Sequence, residues 1–388
     1  MQSGRGRTIL CYVAAASAYL LCAGAVCAQV GSDQKPQMAE DAFKNVQVLK
    51  GISVDEFMAT MGFFSASTGL NCTDCHISES AGDWTRYADD TGLKRTARRM
   101  VLMVNNLNKD NFGGQGVVTC YACHRGTTRP KLIPSLAVQY GAPPPDDPNE
   151  TELPASAPAT PSADQILDRY IQALGGSQRL AALTSFSAKG TYQGFDTDFG
   201  EVPVEIFAKA PAQRTTIVHT LLGDSTRTFD GRAGWIAAAD KPVPLLTLTG
   251  KELDGLKLDA DLSFPAGIKQ ALGQWRTGFA TTVIDDRPVQ MIQGTGAGGS
   301  RIKLFFDKQS GLLVRVVRYT VTIVGVVPTQ TDYSDYREVA GVKLPFHIVV
   351  TWTDGQTTTE LSAVQPNVPL DAAKFAKPAS AAPKPAGR

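Results

Sequence analysis

Two copies of one short motif carry the most specific chemistry in the chain. The first copy is Cys72-Thr73-Asp74-Cys75-His76 and the second is Cys120-Tyr121-Ala122-Cys123-His124. Two thiols at this spacing can reach the two vinyl groups of one porphyrin, and the histidine that follows can bind its iron. A redox C-x-x-C or half of a zinc site does not require that histidine. The spacing therefore predicts two covalently bound haem c groups. The predicted thioether cysteines are Cys72, Cys75, Cys120 and Cys123, and the predicted iron ligands are His76 and His124.

The composition narrows the classes of protein that fit. Lys and Arg number 38 against 37 Asp and Glu, and this near-zero balance argues against a nucleic-acid binder, which would be distinctly basic. Of the seven cysteines, Cys11, Cys22 and Cys27 lie close to the start of the chain, and the other four lie in the two motifs. The motifs thus use every cysteine after the leader, and none remains for a disulfide or a separate zinc site.

Residues 1–28 have the pattern of a secretory signal peptide. Arg5 and Arg7 precede an apolar stretch, and Val26-Cys27-Ala28 has the form of a cleavage site. We therefore expect the mature protein to lie in the periplasm, where c-type haem is attached. The apolar stretch is just long enough to span a bilayer, so an uncleaved membrane anchor is the alternative. Acylation of Cys27 is less favoured because the bulky Val26 precedes it.

Helical patterns surround both motifs. Ser53 and Glu56 resemble a capping box at the start of a helix that Gly69 ends, and a second helix is predicted from about Leu93 to Asn108. We expect Trp84 and Tyr87, in the loop between, to pack against a porphyrin edge. The basic cluster Lys94–Arg99 is either a solvated helix face or a site for haem propionates or an acidic partner.

Each predicted helix carries two methionines, which makes the region an internal repeat. The pairs are Met58 with Met61 and Met100 with Met103, and they hold four of the seven methionines. Methionines at helical spacing usually fill a core. The recurrence of a pair before each C-x-x-C-H motif favours one methionine of each pair as the second axial ligand of the iron.

Residues 57–130, which contain both motifs and both methionine pairs, resemble the cytochrome c subunit of photosynthetic reaction centres. The stretches FMATMGFFSASTGLNCTDCH and TARRMVLMVNNLNKDNFGGQGVVTCYACHRGTTRP are similar to two of that family's haem units. Family members typically carry four haems in two pairs, whereas this chain has one pair. The resemblance implies a diheme electron carrier, and it places the methionine ligands at Met61 and Met100. Met58 and Met103 remain the alternatives, the second because the loop before Cys120 is shorter than in the family.

The second half of the chain has the pattern of a different domain. Residues 141–162 are rich in Pro and Ala and predict an extended linker between a diheme domain at 29–140 and a domain at 163–380, with a disordered tail at 381–388. An amphipathic helix near Ile166 precedes many β-prone runs, with a helical insertion between about Gly250 and Gln274. The predicted strands are Ser185–Tyr192, Val202–Ala208, Arg214–Thr220, Arg301–Phe306, Leu312–Thr320, Thr329–Glu338 and Phe346–Thr353. The predicted fold class is multidomain: a mostly α multihaem cytochrome domain followed by an α+β domain with a large curved antiparallel sheet.

That second domain resembles the half-barrels of bacterial lipoprotein-carrier and lipoprotein-sorting proteins. The pattern lies in Asp332–Phe346, and the resemblance implies a lipid or another apolar ligand. His219 and His347 are single histidines on predicted strands and are interpreted as ordinary strand residues.

Three functions remain for the chain as a whole. The first is a periplasmic diheme cytochrome that carries electrons to redox partner proteins, either a membrane reaction centre, whose photo-oxidised pigment it would re-reduce, or a respiratory complex. The second is a haem enzyme such as a peroxidase, which needs one iron with an open sixth position; the two methionine pairs argue against it. The third is a binding protein for lipid in which the haems are accessory. We predict the first, a protein of electron transfer and not an enzyme.

Overall fold

The computed structural model of the chain describes residues 35–77, 84–142, 147–150, 160–278 and 283–379. The predicted signal peptide at residues 1–28 and the predicted tail at 381–388 lie outside these residues. Parts of the predicted linker, 143–146 and 151–159, also lie outside them.

Helices occupy the first part of the described chain and strands dominate the second. The helices are α1 Ala39–Ala42, α2 Val54–Thr68, α3 Cys72–Cys75, α4 Gly92–Asn111, α5 Cys120–His124, α6 Leu136–Gln139, α7 Ala163–Ala173, α8 Ser177–Ala182, α9 Gly250–Ser263 and α10 Ile268–Ala271. The strands are β1 Ser185–Gly194, β2 Val202–Lys209, β3 Gln213–Thr220, β4 Gly223–Phe229, β5 Gly234–Ala238, β6 Leu245–Leu248, β7 Gly273–Thr277, β8 Val283–Ile284, β9 Arg287–Thr295, β10 Arg301–Asp307, β11 Leu313–Thr322, β12 Gly325–Val339, β13 Val342–Trp352 and β14 Gly355–Pro366.

The two long helices begin and end where their local sequence dictates. The Ser53 side chain accepts a hydrogen bond from the Glu56 amide at 3.2 Å, which caps α2. Gly69 ends α2 with φ +70°, and a Cβ there would lie 2.5 Å from the carbonyl oxygen of Gly126. Thr91 caps α4 by accepting from the Lys94 amide at 3.2 Å. Both predicted helices are therefore confirmed, the second slightly longer than predicted.

The strands form one antiparallel sheet whose order runs β6-β5-β4-β3-β2-β1-β14-β13-β12-β11-β10-β9-β7, with β8 paired to β9. Neighbouring strands along most of this path are consecutive in the chain, so short turns join them. The exceptions are the pairing of β1 with β14, which joins the two ends of the domain, and the pairing of β7 with β9. The seven predicted strands are confirmed, and the predicted helical insertion appears as α9 and α10.

The main core lies on one face of the sheet, under α7, α8, α9 and α10; we refer to it as the helix-covered face. Leu167 of α7 and Leu304 of β10 are both 0% exposed there, and Tyr170 packs on Phe306 with 5.2 Å between ring centroids. A helix with one apolar stripe buries it best against such a sheet face. The predicted α+β class with a large curved antiparallel sheet is therefore confirmed.

A smaller core joins the helical segment to the tip of the β11–β12 hairpin. Phe63 of α2, Val101 of α4 and Cys120 of α5 pack together with Val324 and Val327. The Cys120 amide also donates to the Val324 carbonyl at 3.3 Å. Residues far apart in the chain thus complete the core around the second motif.

The described part of the linker, residues 147–150, lies against the sheet face opposite to the helix-covered face. The Tyr319 hydroxyl donates to the Asn149 carbonyl at 2.9 Å, and the buried Lys303 donates to the Glu150 carbonyl. None of the helices in the described ranges is long and apolar enough to cross a membrane.

Candidate haem-binding site

Each C-x-x-C-H motif begins a short helical turn directly after a capping residue. Asn71 accepts from the Asp74 amide at 3.0 Å, and Asp74 in turn accepts from the Asn71 amide at 2.8 Å. Thr119 accepts from the Ala122 amide at 3.1 Å at the start of the second turn. Because cysteines three residues apart share one face of a helical turn, each pair of thiols points to the same side. This is the arrangement that two thioether bonds to one porphyrin require.

The ring of His76 is held in one orientation by the loop that follows it. Its Nδ1 lies 2.9 Å from the Tyr87 carbonyl oxygen, and the two rings stack with 4.5 Å between centroids. Burial lowers the pKa of His76, so the neutral imidazole is favoured. Nδ1 then donates to the carbonyl, which leaves Nε2 as the free electron pair for an iron.

The ring of His124 is also held in one orientation, by the residues that follow it directly. Its Nδ1 lies 3.0 Å from the carbonyl oxygen of Thr127, and the Thr127 hydroxyl donates back to the His124 carbonyl at 2.7 Å. Arg125 between them adopts a left-handed conformation with φ +50°, which turns the chain back over the ring. Both histidines thus present Nε2 beside a pair of cysteines.

The thiols lie in surroundings that disfavour the thiolate. Burial raises the pKa of Cys72 and of Cys75, and it raises the pKa of Cys120 to about 11. Redox dithiols and zinc sites depend on thiolates with a lowered pKa. The environment of these three cysteines therefore fits thioether attachment better than dithiol exchange.

The four candidate methionines differ in exposure. Met61 is half-buried and packs against the small core, and Met100 is half-buried on α4. Met58 is 43% exposed and Met103 is 50% exposed. The assignment of Met61 and Met100 as axial ligands, with Met58 and Met103 as the alternatives, stays a prediction.

The loop after the first motif is organised by the basic cluster of α4. Lys94 donates to the carbonyl oxygens of Tyr87 and Asp89, both at 2.7 Å, and Arg98 pairs with Asp90 at 2.7 Å. These two side chains therefore hold the loop that orients His76. Arg95 and Arg99 of the same cluster are exposed.

Trp84 and Tyr87 have roles that the sequence pattern did not specify. Tyr87 lies on the ring of His76, and Trp84 packs on Tyr87 with 4.7 Å between centroids. The Trp84 indole also donates to the Asp240 carbonyl in the β5–β6 connection at 2.8 Å. No sequence pattern predicts which carbonyl groups bind His76 and His124, since any residue can supply a backbone oxygen. Only the tertiary structure shows these partners.

A haem group fits the residues that surround the two motifs. Several large apolar side chains on or next to α4 and in or near the second motif are exposed and do not pack within the chain. They are Leu93, Leu102, Met103, Leu107, Phe112, Val117 and Tyr121. A porphyrin is a flat apolar body that such side chains can cover. The residues that would hold the two groups are the four cysteines and the two histidines.

Paired thiols beside oriented imidazoles are the arrangement that the attachment site of a c-type cytochrome requires. The family model described as "Photosynthetic reaction centre cytochrome C subunit" matches residues 16–151, which is less than half of the chain. The resemblance predicted from the two haem units is confirmed over that segment.

Curated relatives are similar to about a quarter of the chain. The photosynthetic reaction center cytochrome c subunit of Thermochromatium tepidum is 38% identical over 104 residues, which cover 26% of this chain and 24% of the relative. The subunit of Roseobacter denitrificans is 33% identical over 105 residues, 25% of this chain and 28% of the relative. The chain thus spans about a quarter of the length of the relatives that it matches.

Solved structures are similar to the sheet region. A LolA superfamily protein from Nitrosomonas europaea covers 56% of this chain with 99% of its own, at 14% identity and a TM-score of 0.38. A putative outer membrane lipoprotein-sorting protein domain from Vibrio parahaemolyticus covers 54% with 94% of its own, at 10% identity and a TM-score of 0.39. The strand order of this chain defines its fold.

Proposed function

We propose that this chain is a periplasmic electron-transfer protein that carries two covalently bound haem c groups. The observation that carries the proposal is the pair of oriented imidazoles: His76 and His124 each have Nδ1 held by a backbone carbonyl, with Nε2 left for an iron. The match of residues 16–151 to a cytochrome family supports the same function. When bound, each haem supplies a one-electron couple.

In this proposal the chain's own residues attach, orient and shield the groups. The cysteines attach each porphyrin, and the histidines supply one strong ligand each. Met61 and Met100 supply the second ligand, which raises the potential relative to a pair of histidines. Lys94 and Arg98 hold the loop that carries the Tyr87 carbonyl.

The proposed partner is a membrane-bound redox complex. The relatives' names favour a photosynthetic reaction centre, and a respiratory complex is the alternative. Purification of the haem protein from native membranes, with identification of the complex that comes with it, distinguishes the two partners.

A spectroscopic experiment tests the function itself. The full chain, exported and matured with haem, should contain two haems per polypeptide and titrate as two reversible one-electron centres. It should not bind carbon monoxide, because a histidine and a methionine would hold each iron and leave no position open. One haem per chain would contradict the proposal, and carbon monoxide binding by the native protein would favour the haem enzyme.

A further inference from the structure

Four large apolar side chains are exposed on two neighbouring hairpin tips of the sheet. Phe195 and Phe199 belong to the β1–β2 tip, residues 195–201, and are 69% and 61% exposed. Leu221 and Leu222 form the β3–β4 tip and are 93% and 53% exposed. A cluster of exposed apolar side chains marks a surface that another molecule covers.

The strand register brings the two tips together. Val204 of β2 stands across from Val218 of β3, and counting outward from that pair places Leu221 beside Glu201, where the β1–β2 tip ends. The rings of the two phenylalanines lie edge to face with 6.2 Å between their centroids. The four side chains therefore form one surface, which we call the tip patch.

Hydrogen bonds within the β1–β2 tip hold the aromatic side of the tip patch in shape. The Tyr192 hydroxyl donates to the Asp196 carboxylate at 3.1 Å, and the Gln193 side chain donates to the Phe199 carbonyl at 2.6 Å. The Phe199 amide donates to the Gly194 carbonyl at 2.9 Å. Phe199 also has a φ of +57°, a conformation that bulky side chains seldom adopt. The tip thus presents a fixed aromatic surface, which costs little entropy to bind.

The rim of the tip patch is acidic. Its carboxylates are those of Asp196, Asp198, Glu201 and Asp224, and residues 194–201 and 220–224 contain no Lys or Arg. A surface with an apolar centre and a negative rim attracts a partner whose rim is positive. The same rim repels the anionic head groups of a membrane, and it repels the identical patch of a second copy of this chain.

The tip patch lies at the end of the sheet that contacts the helical segment. The connections along this end follow the order β5–β6, β3–β4, β1–β2, β13–β14 and β11–β12. In the β5–β6 connection, the Asp240 carbonyl accepts from the Trp84 indole. At the β13–β14 turn, a Cβ on Gly62 of α2 would lie 2.7 Å from the Asp354 carboxylate, and at the β11–β12 tip Val324 belongs to the small core. In strand order, the tip patch therefore stands between the contacts that hold the segment with both haem motifs.

We propose that the tip patch is the docking surface for a protein whose contact face is apolar at its centre and rimmed by Lys and Arg. The docking follows from the exposed side chains and the charges of the two tips. That the docked protein is a redox partner rests on the proposed electron transfer. Such a partner would stand beside the segment that carries the haem motifs.

Binding of a basic redox protein to the haem-loaded full chain tests the proposal. The probe is mitochondrial cytochrome c, a small protein rich in lysine, and the same protein with succinylated lysines is the matched control. Both partners are kept oxidised, so that a biosensor at low ionic strength measures association and dissociation without electron exchange. We expect succinylation to weaken binding at least tenfold and added salt to slow association of the native probe. No binding of the native probe would overturn the proposal.

One pair of substitutions tests the apolar centre. Phe195→Ser combined with Leu221→Ser removes contact area from side chains that the fold does not bury. We expect faster dissociation and at least tenfold weaker binding, with an unchanged melting temperature. Val283→Ser is the matched control, because this valine is 50% exposed at the opposite end of the sheet, and it should bind as the parent does.

A second pair tests the acidic rim. Asp198→Asn combined with Glu201→Gln removes two exposed charges and keeps the shape of the side chains. We expect association to slow at least threefold and to depend less on salt, because charges at a rim act mainly on the association rate. Asp285→Asn combined with Asp286→Asn removes the same charge at the opposite end of the sheet and should change the association rate less than twofold.

The outcomes separate the docking surface from the proposed function. Parental binding by both patch variants would overturn the docking surface, while two haems that titrate reversibly in the same protein would leave the proposed function intact. A chain that takes up no haem would contradict the proposed function, and the binding measurements on that chain would still decide the docking surface. Binding of the parent, but not of the Phe195→Ser, Leu221→Ser variant, to phosphatidylglycerol vesicles would assign the tip patch to a membrane and overturn the proposal. Self-association of the parent that the same variant abolishes would assign it to a second copy and also overturn the proposal.

Discussion

The helical segment and the sheet differ in how they bury their apolar side chains. On the helix-covered face of the sheet, residues such as Ile292 and Leu304 are 0% exposed, and the chain supplies both sides of the core. In the helical segment, Leu102, Val117 and Tyr121 are more than half exposed. The sheet can therefore fold on its own side chains, whereas the helical segment presents apolar surface that a haem would cover. Attachment of the cofactor and stability should therefore be coupled in the helical segment and separate in the sheet.

The largest expected effect is the loss of one haem when one motif is removed. Cys120→Ala combined with Cys123→Ala should leave one haem per chain, because neither vinyl group can then be attached. The helical segment should melt at a lower temperature while the sheet is unchanged. Mass spectrometry and a pyridine haemochrome assay measure the haem content. Retention of two covalent haems would show that the second motif is not an attachment site.

The next effect is the loss of a single iron ligand. Met61→Leu or Met100→Leu should each remove the sulfur-to-iron near-infrared band of one haem, open that iron to carbon monoxide and lower its potential. Met58→Leu and Met103→Leu are the matched controls and should be nearly silent, because the exchange conserves volume. If Met103→Leu removes the band and Met100→Leu does not, the ligand assignment in the second unit is wrong.

Truncation breaks the contacts between the two regions. A chain that ends near Ser135 is predicted to be exported and to bind haem by itself, since both motifs lie within it. It would lose Val324 and Val327 from its small core, so we expect it to be less stable than the same segment in the full chain. Unfolding by denaturant, followed at the haem absorbance band, measures the difference. A truncated chain without haem would mean that the sheet is required for attachment.

A single substitution tests the same small core without removing the sheet. Phe63 is 6% exposed, and its ring lies against Gly325 of β12, where a Cβ would come within 2.2 Å. Phe63→Ala should destabilise the helical segment by about 3 to 5 kcal/mol through the cavity that it leaves. Phe195→Ala, at a side chain that is 69% exposed and lies outside the helical segment, is the control and should cost far less. Equal effects of the two substitutions would show that the small core contributes little.

The smallest expected effect is a pH dependence at the start of α2. Because burial raises the pKa of Asp55 to about 7, the folded chain binds this proton more tightly than the unfolded chain does. The contribution of Asp55 to stability is therefore fully present below the ordinary aspartate pKa of 3.8 and is lost as the pH rises through about 7. It amounts to at most about 4 kcal/mol. Asp55→Asn should flatten the fall in melting temperature between about pH 5 and about pH 8. The exposed Asp110→Asn should leave that fall unchanged, and an equal flattening by both would remove the assignment to Asp55.

Local sequence was sufficient for the features that depend on a few neighbouring residues. The spacing of Cys72, Cys75 and His76 defines an attachment chemistry wherever the chain lies, and Ser53 and Gly69 mark the ends of α2 because capping involves only adjacent residues. Seven of the longer strands were predictable since their alternation and β-branched residues extend over many positions, whereas β9 and β14 were not among the predicted strands. Short strands such as Gly234–Ala238 carry too few residues for such a pattern and were missed.

The tertiary structure decided what depends on residues far apart in the chain. The carbonyl of Tyr87 orients His76, and Val324 completes the core around Cys120; neither contact has a sequence signal, because backbone oxygens and valines occur throughout the chain. Sequence alone therefore determined which cofactor chemistry the chain can support. Only the fold determined which side chains surround that chemistry, because strand register and long-range packing are set by the whole chain and not by any one stretch of it.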